Sequence, residues 1–348
     1  MKIEKLGIWA FRVIFVFLVS YGMLYFSYKY YSPDYGASDF YAYYKMVLHP
    51  LDFSVAPSPL IYRQFSTLVT ALIFKMGIFY NMEISYVNEA INQRVFFAFI
   101  LSNYIALALT ALTIMKIIDI EIGKETMLAP LFGGVLAFLS FGTLVYVLTG
   151  LVEGWTWFFI ALAFYAFKKQ NIYLFAFILV VAIFQKEVVS IIFGVISFVF
   201  FVLDYLKDRK VNKTYLKFFA ISFASFVLYL LLRKVFLPIS GYENQLNLQS
   251  LIETFLNYSI FTSNKLFITI FSQNLFFIYI LSFLLVFKYR KEEFKTFLAL
   301  LSAWVLLYMI GMATDLGTNI GRILLVLSPL FAVYISFYIY LLENKSKE

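Results

Sequence analysis

The chain has 348 residues, of which 63% are hydrophobic and only 14% charged, and its mean hydropathy is +0.85. Soluble domains carry about 45–50% apolar and about 25% charged residues, so a water-soluble globular enzyme is excluded; disorder, which needs low hydrophobicity and high net charge, is excluded with it. The net charge of +8 is dispersed in short basic runs between apolar segments, with no continuous basic stripe, which removes nucleic acid as a partner and matches the loop bias of a membrane protein.

The chemistry available is narrow. There is no Cys, and His49 is the single His, so disulfides, thiol nucleophiles, thiolate metal sites and a His-based metal cluster within one chain are excluded. Carboxylates, Lys, Arg, Tyr, hydroxyls and amides remain.

Taken in chain order, Lys2 and Lys5 form a basic start before an apolar stretch from Gly7 to Tyr28. That stretch is too long for the apolar region of a signal peptide and no small-residue cleavage site follows, so it reads as the first membrane helix. No lipidation motif is present. Further apolar segments run over 62–80, 95–118, 129–149, 151–167, 171–185, 187–203, 215–237, 272–289, 294–312 and 322–342. Helices satisfy their own backbone hydrogen bonds in lipid, so the expected fold is all-α. It is a polytopic transmembrane bundle of about 10–12 helices, with one external-loop segment after the first span. With no Pro/Ser-rich linker and no clear repeat, residues 1–348 read as one integral membrane domain.

Lys/Arg bias sets the expected direction. Lys2, Lys5 and Arg12, Lys168 and Lys169, the run 207–213, the run 288–295, and Lys345 and Lys347 belong inside. The stretch 29–61, the region of Glu153, the Lys186–Glu187 break, 239–271 and 313–321 then face outside. One count fails to close. Three apolar segments (62–80, 95–118 and 129–149) lie between two outside positions, where an even number of crossings is required. One of the three is re-entrant or half-length, or a break is hidden inside one, and the residues do not say which.

Ionisable groups at membrane depth are expensive and mark function by default. Asp39 lies in the first external loop, Glu153 at the outer start of a helix, Lys186 and Glu187 interrupt an apolar run, and Asp315 and Arg322 flank the last span. On the topology above all of them converge on one side. Each has a structural reading of its own: a solvated loop carboxylate, a helix-start carboxylate, an ion pair, a snorkelling cation. Together they suit one chemistry. A carboxylate takes a proton from an acceptor hydroxyl, and Lys and Arg neutralise a phosphate leaving group. Transfer of a sugar from a lipid phosphate needs both functions. The tyrosines at 28, 30, 31, 35, 41, 43 and 44 read mainly as a membrane-interface belt, with stacking against a sugar as the functional alternative.

In this layout the chain resembles the GT-C membrane glycosyltransferases, which use polyprenyl-phosphate sugars. The resemblance rests on a first span followed by a long loop bearing Ser38-Asp39-Phe40-Tyr41, and on Ile61-Tyr62-Arg63-Gln64-Phe65 opening the next segment. It rests also on the Lys186-Glu187 step at a helix break, and on Gly321-Arg322 with Pro329 in the final span. It implies Asp39 as catalytic base, with Lys186, Arg322 and Arg63 at the donor phosphate. Glu187, Glu153, Asp315 and Tyr41 would support the site or meet the acceptor. The chain reads without a soluble C-terminal domain, and no second Asp follows Asp39, so no metal and no cofactor are expected.

The expected function is transfer of a sugar from a polyprenyl-phosphate donor to a lipid-linked glycan, glycolipid or protein. The setting would be the external face of a membrane, taken as the bacterial inner membrane. The competing readings are a polysaccharide polymerase of the EpsG or O-antigen type and a flippase or transporter for a lipid-linked sugar. The last lacks the inverted repeats and midplane carboxylates that transporters show.

Overall fold

The structure is a computed structural model. It describes residues 2–30, 38–79, 91–123, 126–136, 142–148, 151–209, 211–241, 281, 284, 293–313 and 320–345. Among these, the regular elements are helical. We number them α1 (Lys2–Tyr30), α2 (Ser38–Leu48), α3 (Gln64–Lys75), α4 (Gln93–Ile122), α5 (Leu128–Leu136) and α6 (Glu153–Lys168). They continue as α7 (Ile172–Ala182), α8 (Val188–Asp208), α9 (Lys213–Leu231), α10 (Phe294–Ala313), α11 (Ile320–Leu325) and α12 (Ser328–Lys345). The expected span 272–289 lies almost wholly outside the described residues, as does most of 239–271.

Among the described residues, four helices, Leu6–Tyr30, Gln93–Ile122, Val188–Asp208 and Lys213–Phe236, are long and apolar enough to cross a membrane. Helix α4 is the axis: it packs on α1, α3, α5, α6 and α12, and most of its surface is buried. Helices α1 and α9 are peripheral. They leave Phe11, Leu18, Phe26, Phe223 and Leu231 exposed, an apolar surface that water does not tolerate over such an area.

Local sequence signals set most boundaries. Asn92, Asn171 and Asn212 accept backbone N–H bonds from Arg94, Leu174 and Thr214 and so begin α4, α7 and α9. Gly123 ends α4 at φ +76°, a left-handed position that a side chain disfavours. The wider turns Thr143–Val147 and Leu232–Phe236 are π-helical. The second lies just before Pro238, which cannot continue the ladder.

Helix α3 is short for an apolar segment. Its 12 residues extend about 18 Å at 1.5 Å per residue, well short of a hydrocarbon core of about 30 Å. At its start, Phe65 N donates to Phe184 O at 2.8 Å. Just past its end, Phe79 meets the edge of Phe97 and lies under the Arg94 guanidinium. One apolar cluster holds Ala71, Val95, Phe97, Val152 and Ile183. Helix α3 and the residues just after it thus pack against the starts of α4 and α6 and the α7–α8 junction.

The two bundle ends are chemically distinct. The end where α4 and α6 begin and α7 meets α8 carries α2 and the 3₁₀ turn Leu60–Tyr62. At the opposite end, Arg12 makes a two-pronged pair with Asp119, with bonds of 2.7 and 2.9 Å, and also donates to Thr126 O. Arg12 is 0% exposed, and its guanidinium stacks on Trp9. Lys168 pairs with Glu121 at 2.7 Å, and Lys295 pairs with Asp204, whose other oxygen accepts from Asn212 at 2.8 Å.

Candidate functional site

Asp39 stands in the first turn of α2, half-buried, where a carboxylate also complements the helix dipole. Four residues on, one helical turn later and on the same face, Tyr43 is fully buried and accepts a hydrogen bond from Arg63 Nη1. Tyr41 lies two positions from Asp39 and is exposed, its ring edge-on to Phe40. The tyrosine that α2 brings to Arg63 is thus Tyr43.

Arg63 is delivered by the buried 3₁₀ turn. Leu60, Ile61 and Tyr62 are inside, Arg63 N closes the turn on Leu60 O at 3.0 Å, and α3 begins at the next residue. The charges of Asp39 and Glu187 both act on the Arg63 guanidinium. Residues from α2 and from the start of α8 are therefore within electrostatic reach of Arg63, although Asp39 and Glu187 are 148 positions apart in sequence.

The break between α7 and α8 supplies the other half. Gln185 is 0% exposed and joins three elements. Its Nε2 donates to Val152 O at 2.6 Å and Thr156 Oγ1 at 3.2 Å, and its Oε1 accepts Ser66 N at 3.2 Å. A buried amide with these bonds cannot be moved cheaply, so Lys186 and Glu187 are held at fixed places. Lys186 Nζ lies 3.1 Å from Glu153 Oε1, with the two side chains 14% and 0% exposed. Glu153, the first residue of α6, is thus a fully buried carboxylate compensated by a cation from another helix junction. Gly154 lets α6 approach α4: a Cβ there would lie 3.2 Å from Asn103 Cα, and Asn103 Nδ2 donates to Leu151 O at 2.8 Å.

A third contribution comes from the end of α9. Tyr229 is buried, its ring edge-on to Tyr62, and the charges of Glu187, Arg63 and Arg233 act on its hydroxyl. Arg233 Nε donates to Ser58 Oγ at 3.1 Å, and Tyr62 OH donates to Leu237 O. Gly241 lies so close to Ser58 that a Cβ would overlap its backbone.

Of the residues expected from sequence, Asp39, Arg63, Lys186, Glu187 and Glu153 come together at this end. Arg322 lies on α11, but its side chain and Asp315 are outside the described residues. Sequence reading missed Tyr43, Gln185, Tyr229 and Arg233. Two signals were available: Tyr43 is one turn from Asp39, and Arg233–Lys234 interrupts an apolar run just before Pro238. Among the described residues no group of three or more His, Cys, Asp or Glu side chains is placed to hold a metal ion.

No family model, curated protein or solved structure matches this chain.

Proposed function

We propose that the protein is a membrane glycosyltransferase that moves a sugar from a polyprenyl-phosphate donor to a lipid-linked glycan, glycolipid or protein acceptor. The observation that carries this reading is the gathering of Asp39, Arg63 and Glu187 beside the Lys186–Glu153 pair at one end of an apolar helical bundle. Acid and base functions and phosphate-compensating cations are then within one site, and the donor's lipid tail has apolar helix surface beside it.

In the proposed step the acceptor hydroxyl attacks the anomeric carbon while Asp39 takes its proton. The bond from that carbon to the phosphate oxygen breaks, and polyprenyl phosphate leaves with the electron pair. Arg63 and Lys186, with Arg322 from α11, neutralise the phosphate. Glu153 and Glu187 hold the cations when the site is empty, Tyr43 orients Arg63, and Asp315 and Tyr41 fall to the acceptor side. On the Lys/Arg bias, the Asp39 end faces outside, and the bacterial inner membrane is the proposed location.

The test uses purified protein in lipid nanodiscs with a labelled polyprenyl-phosphate sugar and a lipid-linked acceptor. Addition of one sugar per acceptor is the expected outcome. A ladder of repeat units would assign a polymerase instead, and movement of the lipid-linked sugar without bond formation a flippase.

A further inference from the structure

Arg233 belongs to the π-helical turn that closes α9, at the far end of a helix whose start is basic. Arg233 is half-buried near the end of the apolar helix Lys213–Phe236, where its polar head needs a polar neighbour. One neutral group meets it directly: Ser58 Oγ accepts from Nε at 3.1 Å, and Tyr229 lies one turn earlier on the same helix. The Ser58 contact orients the guanidinium without neutralising it.

Charge compensation separates the cations of this protein. Among the described residues, Arg12, Lys168, Lys186 and Lys295 each have a carboxylate within ion-pair distance, whereas Arg63 and Arg233 have none. The end of α9 packs on the turn that delivers Arg63: the Tyr229 ring is edge-on to Tyr62, and Tyr62 OH reaches Arg233 O at 3.4 Å as well as Leu237 O, so the two arginines belong to one region of the site. Glu187, whose charge bears on Arg63 and on Tyr229, lies in the same region. With Nε of Arg233 taken by Ser58, its terminal nitrogens keep the planar fork that matches phosphate oxygens.

We propose that Arg233 is a further oxyanion-binding residue, forming with Arg63 a two-arginine clamp on the phosphate of the lipid donor. The assignment of that phosphate to a sugar donor rests on the transferase reading above; the anion site itself does not. Ser58 acts as a positioning residue for the guanidinium.

The experiment measures binding of a short-chain polyprenyl phosphate to the full chain in nanodiscs, alongside the unfolding midpoint and sugar transfer. Arg233→Ala is expected to weaken binding about 10- to 100-fold, as for loss of a charged hydrogen-bond donor. Arg233→Lys should recover part of the loss, because it keeps the charge without the fork, and Ser58→Ala should cost less than Arg233→Ala. If Arg233→Ala fails to fold, Arg233→Gln, which retains a donor toward Ser58, carries the same comparison. A folded Arg233→Ala or Arg233→Gln protein that binds polyprenyl phosphate as tightly as the native chain overturns the proposal, as does a native chain that binds none. Equal Arg233-dependent capture of an anionic phospholipid overturns the donor assignment. Arg233-dependent binding without sugar transfer by the native chain would overturn the transferase reading and leave the anion clamp standing.

Discussion

The two ends of the bundle use the same residue types in different ways. At the opposite end, the ion pairs of Arg12, Lys168 and Lys295 join long helices, α1 to α4, α6 to α4, and α10 to α8, and the charge of Glu293 bears on Lys168 as well. At the Asp39 end the cations come from a 3₁₀ turn, a helix break and a π-helical turn rather than from within long helices. Pairing between long helices fixes helix positions. Cations set in turns and breaks hold no two long helices together in this way, and on the function proposed above they meet a substrate phosphate.

The contrast is broken most directly at Asp39. Asp39→Asn keeps the size and hydrogen bonding of the side chain but removes the proton acceptor, so transfer should fall about 10²- to 10⁴-fold. Thermal stability in detergent should hold. Full transfer by this variant would move the base role to Glu153 or Glu187.

At the other end the expected loss is of folding. Removing one partner of a fully buried pair leaves an uncompensated charge, so Arg12→Ala should destabilise by about 3–5 kcal/mol. Thermal or denaturant unfolding reads this. The double change Arg12→Met with Asp119→Leu should recover much of the loss, and transfer per folded molecule should stay near native in both. A selective loss of transfer would place Arg12 in the functional machinery.

Lys186→Ala sharpens the comparison, because Lys186 carries both features: it pairs with buried Glu153 and stands at the site. Donor use is expected to fall by about one to two decades, equivalent to about 1.5–3 kcal/mol. Glu153→Gln removes the buried charge and should soften the stability cost of Lys186→Ala in the double variant, without restoring donor use. Recovery of both would make the pair purely structural.

A smaller effect is expected at Lys295, whose side chain is 32% exposed. Solvent screening limits its pair with Asp204, so Lys295→Ala should cost no more than about 1 kcal/mol, measured by the same unfolding assay.

The smallest effect belongs to Asp52. Hydrogen bonds from the Ser54 hydroxyl and amide hold its carboxyl below the ordinary 3.8. A depressed carboxyl contributes stability above its unfolded value, and that contribution is lost as pH falls through the folded value, here below about pH 4. Asp52→Asn should therefore flatten only the acid edge of the stability profile and leave transfer at neutral pH unchanged. Unfolding midpoints followed from neutral pH downward check this.

Much of the site was legible because membrane burial makes charge conspicuous. Asp39, Glu153, Lys186 and Glu187 each interrupt or border apolar runs, and a single sequence is enough to mark such residues as needing partners. Asp52 was legible in the opposite sense: beside His49 and Pro50 it reads as turn chemistry, and its carboxylate accepts both Ser54 donors. Tyr43 and Gln185 were hidden because tyrosine and glutamine are unremarkable near an interface. Their roles depend on which side chains come within hydrogen-bond distance after packing.

The same division holds for the architecture. The long contiguous apolar runs pointed to an all-helical solution, since a helix satisfies its backbone polar groups within its own segment and a barrel strand would alternate in hydrophobicity. Asparagine caps and Gly123 placed several helix ends through short-range bonds and backbone freedom. Composition could not tell where each apolar segment packs. Helix α3 reads like its neighbours in hydrophobicity, and its place is set by the bond from Phe65 to Phe184, the seat of Ser66 on Gln185 and the contact of Phe79 with Phe97. Nor could it show that Arg63 answers to Asp39 and Glu187 while Lys186 answers to Glu153. Those partnerships join residues tens to more than a hundred positions apart, and only the packed bundle brings their charges within range.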